Sequence, residues 1–294
     1  MNEGLLGRVR ELVADPTKTP ALHALLHAEA ARVIQGMRDD AFAPGATYSD
    51  EEFARRMKAY EELAEDLARA AALVVYWSRT TDERLIPDVV TRLANSIERT
   101  AGQVPFLELS LYPAVLVLYG AGLGAVIGRR EEQLAELLGL PTIRDRHEWK
   151  PVALMLSGPA ALDHKIARRL PGLERHHTPA SDRLCEVLQP WVEELQPDQE
   201  SFEHAFDRWE YLLGLVMFDL TRQGERPGYA PVGRLSWRGN YGGGIEVTLE
   251  QEISLAGSDW PLLRGGLFGR DAKRLGESVA GWHAFIAQAR QHQF

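Results

Sequence analysis

Cysteine is almost missing from this chain of 294 residues: Cys185 stands alone. A single thiol excludes an internal disulfide framework and any Cys-rich zinc ribbon, and it suits a reducing cytoplasm. Tandem repeats and low-complexity tracts are also lacking. The first residues, Met1-Asn2-Glu3-Gly4-Leu5-Leu6-Gly7-Arg8, lack the basic stretch and following apolar stretch of a secretory signal. Basic charge is in deficit, with 33 Lys and Arg against 42 Asp and Glu for a net −9. That balance argues against sequence-blind binding of nucleic acid or anionic lipid by the whole surface, and leaves room for a local basic patch. What is present is ordinary: 45% hydrophobic and 26% charged residues, the mixture of a globular protein of one large or two modest domains.

Most of the chain carries apolar residues at helical spacing. Leu22, Leu25, Leu26, Ala30, Val33, Ile34 and Met37 recur every three or four positions behind Thr19-Pro20, an expected helix start. Ser49-Asp50-Glu51-Glu52 reads as a capping box, and the long helix it opens places Phe53, Met57, Tyr60, Leu63, Leu67, Ala70, Ala71, Val74, Val75 and Trp77 on one stripe. A further helix from about Thr81 to Thr100 is expected to kink or restart near Pro87. Asp182 to Leu195 reads as a helix bent by Pro190, Gln199 to Leu220 as a long helix, and Asp271 to Gln291 as the last one. From Leu109 to Gly128 no residue is charged, a length that would cross a bilayer. The flanking charges and the internal Pro, Gly and Tyr favour a buried core helix instead. After Gln223 the chain turns Gly-rich. Gly233 to Arg238 and Ile245 to Glu250 alternate apolar and polar around Gly239-Asn240-Tyr241-Gly242-Gly243-Gly244, the pattern of a β-hairpin. The expected fold is therefore mainly α. A helical domain spans residues 1–222, and residues 223–294 add a small β-hairpin and a C-terminal helix on the same core.

Motifs that carry chemistry are scarce. Val115 to Tyr119 followed by Gly120-Ala121-Gly122-Leu123-Gly124-Ala125 fits G-x-G-x-x-A, so Gly120, Gly122 and Gly124 offer an alternative reading as a pyrophosphate-binding turn. The acidic strand end required about 20 residues later is replaced by Leu140-Pro141-Thr142-Ile143-Arg144-Asp145. Close helix packing by small residues is the reading favoured here. His23 and His27 share a helix face at zinc-ligand spacing, but Ala24 stands where H-E-x-x-H needs Glu. His176-His177 sits in a loop, and whether either histidine pair meets a metal in space is left open. Ser157 lacks the leading Gly of a nucleophile elbow, and Cys185 between Leu184 and Val187 reads as packed. No catalytic residue, cofactor or metal site is assigned, and an enzyme is the less favoured class. Arg234, Trp237, Arg238 and Tyr241 interleave basic and aromatic side chains on the expected hairpin. Such a set suits a protein interface, and less well the stacking of nucleic-acid bases.

Several blocks together resemble a known kind of region. They are Ser49-Asp50-Glu51-Glu52-Phe53 with Tyr60-Glu61-Glu62 and Tyr76-Trp77; Leu111-Tyr112-Pro113-Ala114-Val115-Leu116-Val117-Leu118-Tyr119-Gly120-Ala121-Gly122; and Phe206-Asp207-Arg208-Trp209-Glu210-Tyr211-Leu212-Leu213-Gly214-Leu215-Val216 with Ala230 to Gly239. The chain resembles the mostly helical, uncharacterised region that accompanies effector domains, SIR2-like or nucleotide-binding, in bacterial conflict and antiphage proteins. The resemblance implies a cytoplasmic, non-enzymatic interaction or sensor module. Since the chain begins at Met1 without an effector domain, its effector is expected to be a separate protein partner, or the chain to self-associate. The resemblance transfers no functional residue.

Overall fold

A computed structural model of the chain describes residues 3–43, 45–77, 84–96, 101–139, 142–145, 148–222, 227–238 and 244–291. The protein is mainly helical. The helices are α1 (Glu3–Val13), α2 (Thr19–Met37), α3 (Asp50–Trp77), α4 (Leu85–Ala94), α5 (Val104–Leu109), α6 (Tyr112–Ile127) and α7 (Leu134–Gly139). Two strands, β1 (Thr142–Asp145) and β2 (Glu148–Pro151), follow, and then α8 (Val152–Met155), α9 (Gly158–Ala161), α10 (His164–Ala167) and α11 (Pro179–Trp191). The chain continues as α12 (Gln199–Arg222), α13 (Leu235–Arg238), α14 (Ile245–Ala256), α15 (Pro261–Arg264) and α16 (Ala272–Gln291). A single cluster of buried apolar side chains runs from Leu5 to Ile286 and draws on both the long helical stretch and the C-terminal segment.

α6 lies at the centre. Its residues from Tyr112 to Val126 are all buried, which makes the uncharged stretch an interior helix. Among the described residues one helical stretch, Val104–Ile127, is apolar and long enough to cross a membrane, and 94% of its apolar 18-residue window is buried inside the protein. Its small residues set the packing distance. A Cβ on Gly120 would come within 2.5 Å of the Ala68 carbonyl oxygen, and one on Gly124 would come closer still to that of Ala72. The alanines of α3 and the glycines of α6 thus let two backbones approach face to face. On the other side, Gly122 leaves room for the Trp209 ring of α12.

Local signals explain several boundaries. The Glu52 amide donates to Ser49 Oγ at 3.1 Å, so Ser49 caps α3 as its sequence implies. Glu52 does not return to close the box; its carboxylate is taken by Arg55 and Arg56. Pro87 sits inside the first turn of α4, where its missing amide costs little. α11 ends one residue after Pro190, so the expected bend is the helix terminus. A buried polar knot ties three helices: Arg183 of α11 donates to both oxygens of Glu61 on α3 at 2.9 and 2.6 Å, and Tyr112 OH of α6 donates to the same carboxylate at 3.0 Å.

The expected C-terminal hairpin is not there. Leu235–Arg238 is a helical turn, and Ile245–Ala256 is a helix of three turns. Alternation over six residues of Ile245-Glu246-Val247-Thr248-Leu249-Glu250 also contains a helical stripe, Ile245 and Leu249 continued by Ile253. Ile245 and Leu249 are buried with Ile253 packed against the core, while Val247 is 50% exposed. The stripe and its continuous backbone bonding decide in favour of helix. The observed two-stranded antiparallel pair lies elsewhere, joining Ile143 to Lys150 and Arg144 to Trp149.

Candidate functional site

α12 is the element that builds the site. Its apolar positions Phe202, Phe206, Trp209, Leu212 and Leu213 bury it in the core. A second stripe, Glu200, Glu203, Asp207 and Glu210, follows the spacing three, four, three and therefore shares one helix face. Exposure falls along it: Glu200 is exposed, Glu203 intermediate, and Asp207 and Glu210 buried at 7% and 8%. The stripe descends from solvent into the interior along one side of a cleft of about 1420 Å³, to which α12, α13, α14 and the end of α6 all contribute.

The loop before α13 reaches the deepest carboxyl through one glycine. Gly233 has φ +56 and lies so close to Glu210 Oε2 that a Cβ would collide with it. Ser181 Oγ donates to Glu210 Oε2 at 2.5 Å, the Arg234 amide approaches the same oxygen at 3.4 Å, and Tyr119 OH donates to Oε1 at 3.4 Å. Burial pushes the Glu210 carboxyl up to about 7, against the pull of the Ser181 hydrogen bond.

Two arginines one helical turn apart face the stripe. Arg234 donates to Glu203 Oε2 at 3.1 Å and to Cys185 Sγ, and its Nε lies 3.7 Å from Asp207 Oδ1 and 3.9 Å from Asp182 Oδ1. Arg238 pairs with Glu203 and, at 3.0 Å, with Asp207 Oδ2. Burial pushes Asp207 up to about 6 even though both arginines pull it down. Glu203 is raised by burial, but the Arg238 hydrogen bond and charge outweigh this and hold it below the usual carboxylate range. Burial raises the Cys185 thiol to about 12, so it stays protonated and is a hydrogen-bonding packed group at neutral pH.

The opposite walls are also ionic. Arg208 grips Glu131 behind α6 and Glu252 of α14, and Arg290 of α16 pairs with Glu246 of α14 while donating twice to the Leu235 carbonyl oxygen. Among the residues of α14, only Ile245, Glu246 and Leu249 are buried.

The residues singled out from sequence fall as follows. Arg234, Trp237 and Arg238 do come together and line the cleft. They do so on a helical turn and not on a hairpin, with both guanidinium groups 5.6 and 5.9 Å from the Trp237 ring. Trp237 Nε1 donates to Thr178 Oγ1 at 3.1 Å. Both arginines are matched by carboxylates, so the arrangement is no phosphate-binding surface. Tyr241 lies outside the described residues. The glycine cluster is corrected: Gly120, Gly122 and Gly124 are inside α6, with their amides committed to helix bonding and their Cα faces against α3 and Trp209. No turn exists there to cradle a pyrophosphate. His23 and His27 lie with ring centroids 6.2 Å apart, and no group of three His, Cys, Asp or Glu among the described residues is arranged to hold a metal. His176 Nδ1 is 3.0 Å from Asp182 Oδ2, at the edge of the same network, whereas His177 is exposed.

Sequence reasoning missed the carboxylate stripe. Its signal was legible as four acids at positions 200, 203, 207 and 210 of a helix that is otherwise apolar on its inner side. Compared with known proteins, the chain matches no family model, no curated protein and no solved structure.

Proposed function

We propose that the protein is a non-enzymatic helical interaction module that receives a protein partner in the cleft beside α12. We place it in the bacterial cytoplasm, as an accessory or sensor subunit of an antiphage defence system. The observation that carries this reading is the cleft itself, wide and walled by side chains that pair with each other. Arg208, Arg234, Arg238 and Arg290 each hold carboxylates from a different element. Ion pairs of this kind select and orient a charged partner. The nearby nucleophile, Cys185, is a buried neutral thiol, and Ser181 is committed to Glu210. The cytoplasmic placement draws on the single thiol and on α6 lying inside the protein.

The test is hydrogen exchange of the purified chain, alone and with each protein encoded beside it. The expected result is one partner that protects α12, α13 and α14 and loses affinity at least tenfold with Glu200→Lys. Protection confined to other faces, or a strictly monomeric chain that engages none of these proteins, would overturn the proposal.

A further inference from the structure

The charges of the cleft name the chemistry of its occupant. Seven carboxylates and five arginines line it, an excess of negative charge. At the floor Glu203 and Asp207 share Arg234 and Arg238, and Arg234 also faces Asp182, which His176 approaches from its other side. Carboxylates withdrawn from water without a matching cation are costly. A second observation points the same way. Asp207 is 7% exposed, and its Oδ1 accepts no hydrogen bond; Arg234 Nε, 3.7 Å from it, donates none either, while Arg238 Nε pairs with Oδ2 at 3.0 Å. Asp207 Oδ1 at the floor is thus open to a further donor.

An anionic occupant fits poorly. Exposed Arg129 at the end of α6 aside, it would have to pull Arg208, Arg234, Arg238 or Arg290 from a carboxylate and leave that carboxylate without its partner. A cation adds charge where it is lacking. The size argues for a chain segment, since about 1420 Å³ exceeds the ~300–1,000 Å³ of a small-molecule pocket.

We infer that the cleft binds a basic polypeptide segment whose Lys or Arg side chains pair with Glu200 and Glu203 at the rim and approach Asp207 at the floor. This rests on the reading of the cleft as a partner site and adds the partner's charge. A sign follows from linkage. Asp207 is faced by Arg234 from the loop before α13, Arg238 from α13, Glu203 and Glu210 on its own helix, Glu246 from α14 and Asp182 from α11. A further cation beside it favours the ionised carboxylate and releases a proton, so binding tightens as pH rises.

The experiment uses the full chain at physiological salt and two labelled probes, the peptide Gly-Arg-Gly-Arg-Gly-Arg and its glutamate counterpart, with spermine as competitor. The expected result is saturable one-to-one binding of the arginine peptide, stronger at pH 7.5 than at pH 6. Affinity should fall about threefold in Glu200→Gln and about tenfold in Glu200→Gln with Glu203→Gln, and should hold in Glu51→Gln on distant α3. Glu200 is exposed, so its variant keeps the test valid if loss of Glu203 disturbs folding. No binding of the arginine peptide, or binding unchanged in the Glu200 variants, overturns the inference. Binding of the glutamate peptide, abolished by Arg238→Gln, overturns the charge assignment and leaves the cleft as a partner site. Spermine that displaces the peptide at equal affinity overturns the polypeptide and makes the occupant a small polyamine.

Discussion

α12 has two neighbourhoods that are built by opposite means. Toward α6 and α3 the contacts are dry and shaped: Trp209 fills the space over Gly122, and beyond it Gly120 and Gly124 press on the alanine backbone of α3. Toward α13 and α14 the contacts are charged: Glu203, Asp207 and Glu210 meet two arginines, and α14 is held by pairs to Arg208 and Arg290. The dry side is stabilised by excluded water and close packing, which are indifferent to pH and salt. The charged side is stabilised by terms that nearly cancel, Coulomb attraction against desolvation. One helix therefore joins a rigid platform to an adjustable wall, and a site that must respond to a partner belongs on the second.

The largest expected effect breaks the charged side. Among the described residues, Arg234→Ala leaves Glu203 and Asp207 to Arg238 alone and takes the only arginine from Asp182, and buried pairs broken by removing one partner cost about 3–5 kcal/mol. Urea unfolding at pH 7.5 should show the loss, and at pH 5.5, where Asp207 and Glu210 take up protons, the loss should shrink. A loss equal at both pH values would mean that Arg234 acts by packing alone.

The dry side breaks next. Gly124→Ala should destabilise by about 2 kcal/mol, because a Cβ there meets backbone that cannot yield. An exposed helical glycine would instead gain about 1 kcal/mol from alanine. The sign of the change in thermal melting thus tests whether α6 and α3 touch.

Acidity sharpens the comparison, since two carboxylates respond in opposite directions. Glu210 titrates at about 7 in the fold against an ordinary 4.5. The folded form holds an extra proton between those values, so its contribution grows as pH falls from above 7 toward 4.5. At the start of α3, the hydrogen bond from Arg55 leads the effects that hold Glu52 down to about 2. Its contribution is present above the usual 4.5 and is lost as pH falls through about 2. Stability against pH should therefore climb on mild acidification and drop only in strong acid. In Glu210→Gln the first climb should shrink, with the acid limb unchanged. Stability that falls steadily from pH 8 would contradict the buried assignment of Glu210.

The smallest effect concerns α14. Glu252→Gln should cost about 0.5 kcal/mol, as a half-exposed pair does, and raise hydrogen exchange in α14 more than in α6. High salt on the wild type should imitate it. Equal exchange change in both helices would show the wall to be as firmly packed as the platform.

Helices were legible wherever an apolar stripe ran long. α2, α3, α12 and α16 lie where their periodicity places them, and Ser49 caps where its residue type implies. The interior role of α6 was also legible, from twenty uncharged residues broken by Pro, Gly and Tyr. α13 and α14 were not, because six alternating residues satisfy both periods until a neighbour chooses the buried side. The site was half legible. Arg234, Trp237 and Arg238 stood out as an aromatic and basic group. Their carboxylate partners did not, since acids at helical spacing usually mark a solvated face.

Sequence alone settled the mainly helical class, because backbone bonding and side-chain period act between residues a few positions apart. Tertiary structure alone decided which acids leave water and which cation each one meets. Arg234 finds Cys185 and Glu203 only when α11, α12 and α13 converge. Burial, which raises Asp207 and Glu210, is a property of that convergence and of no residue by itself.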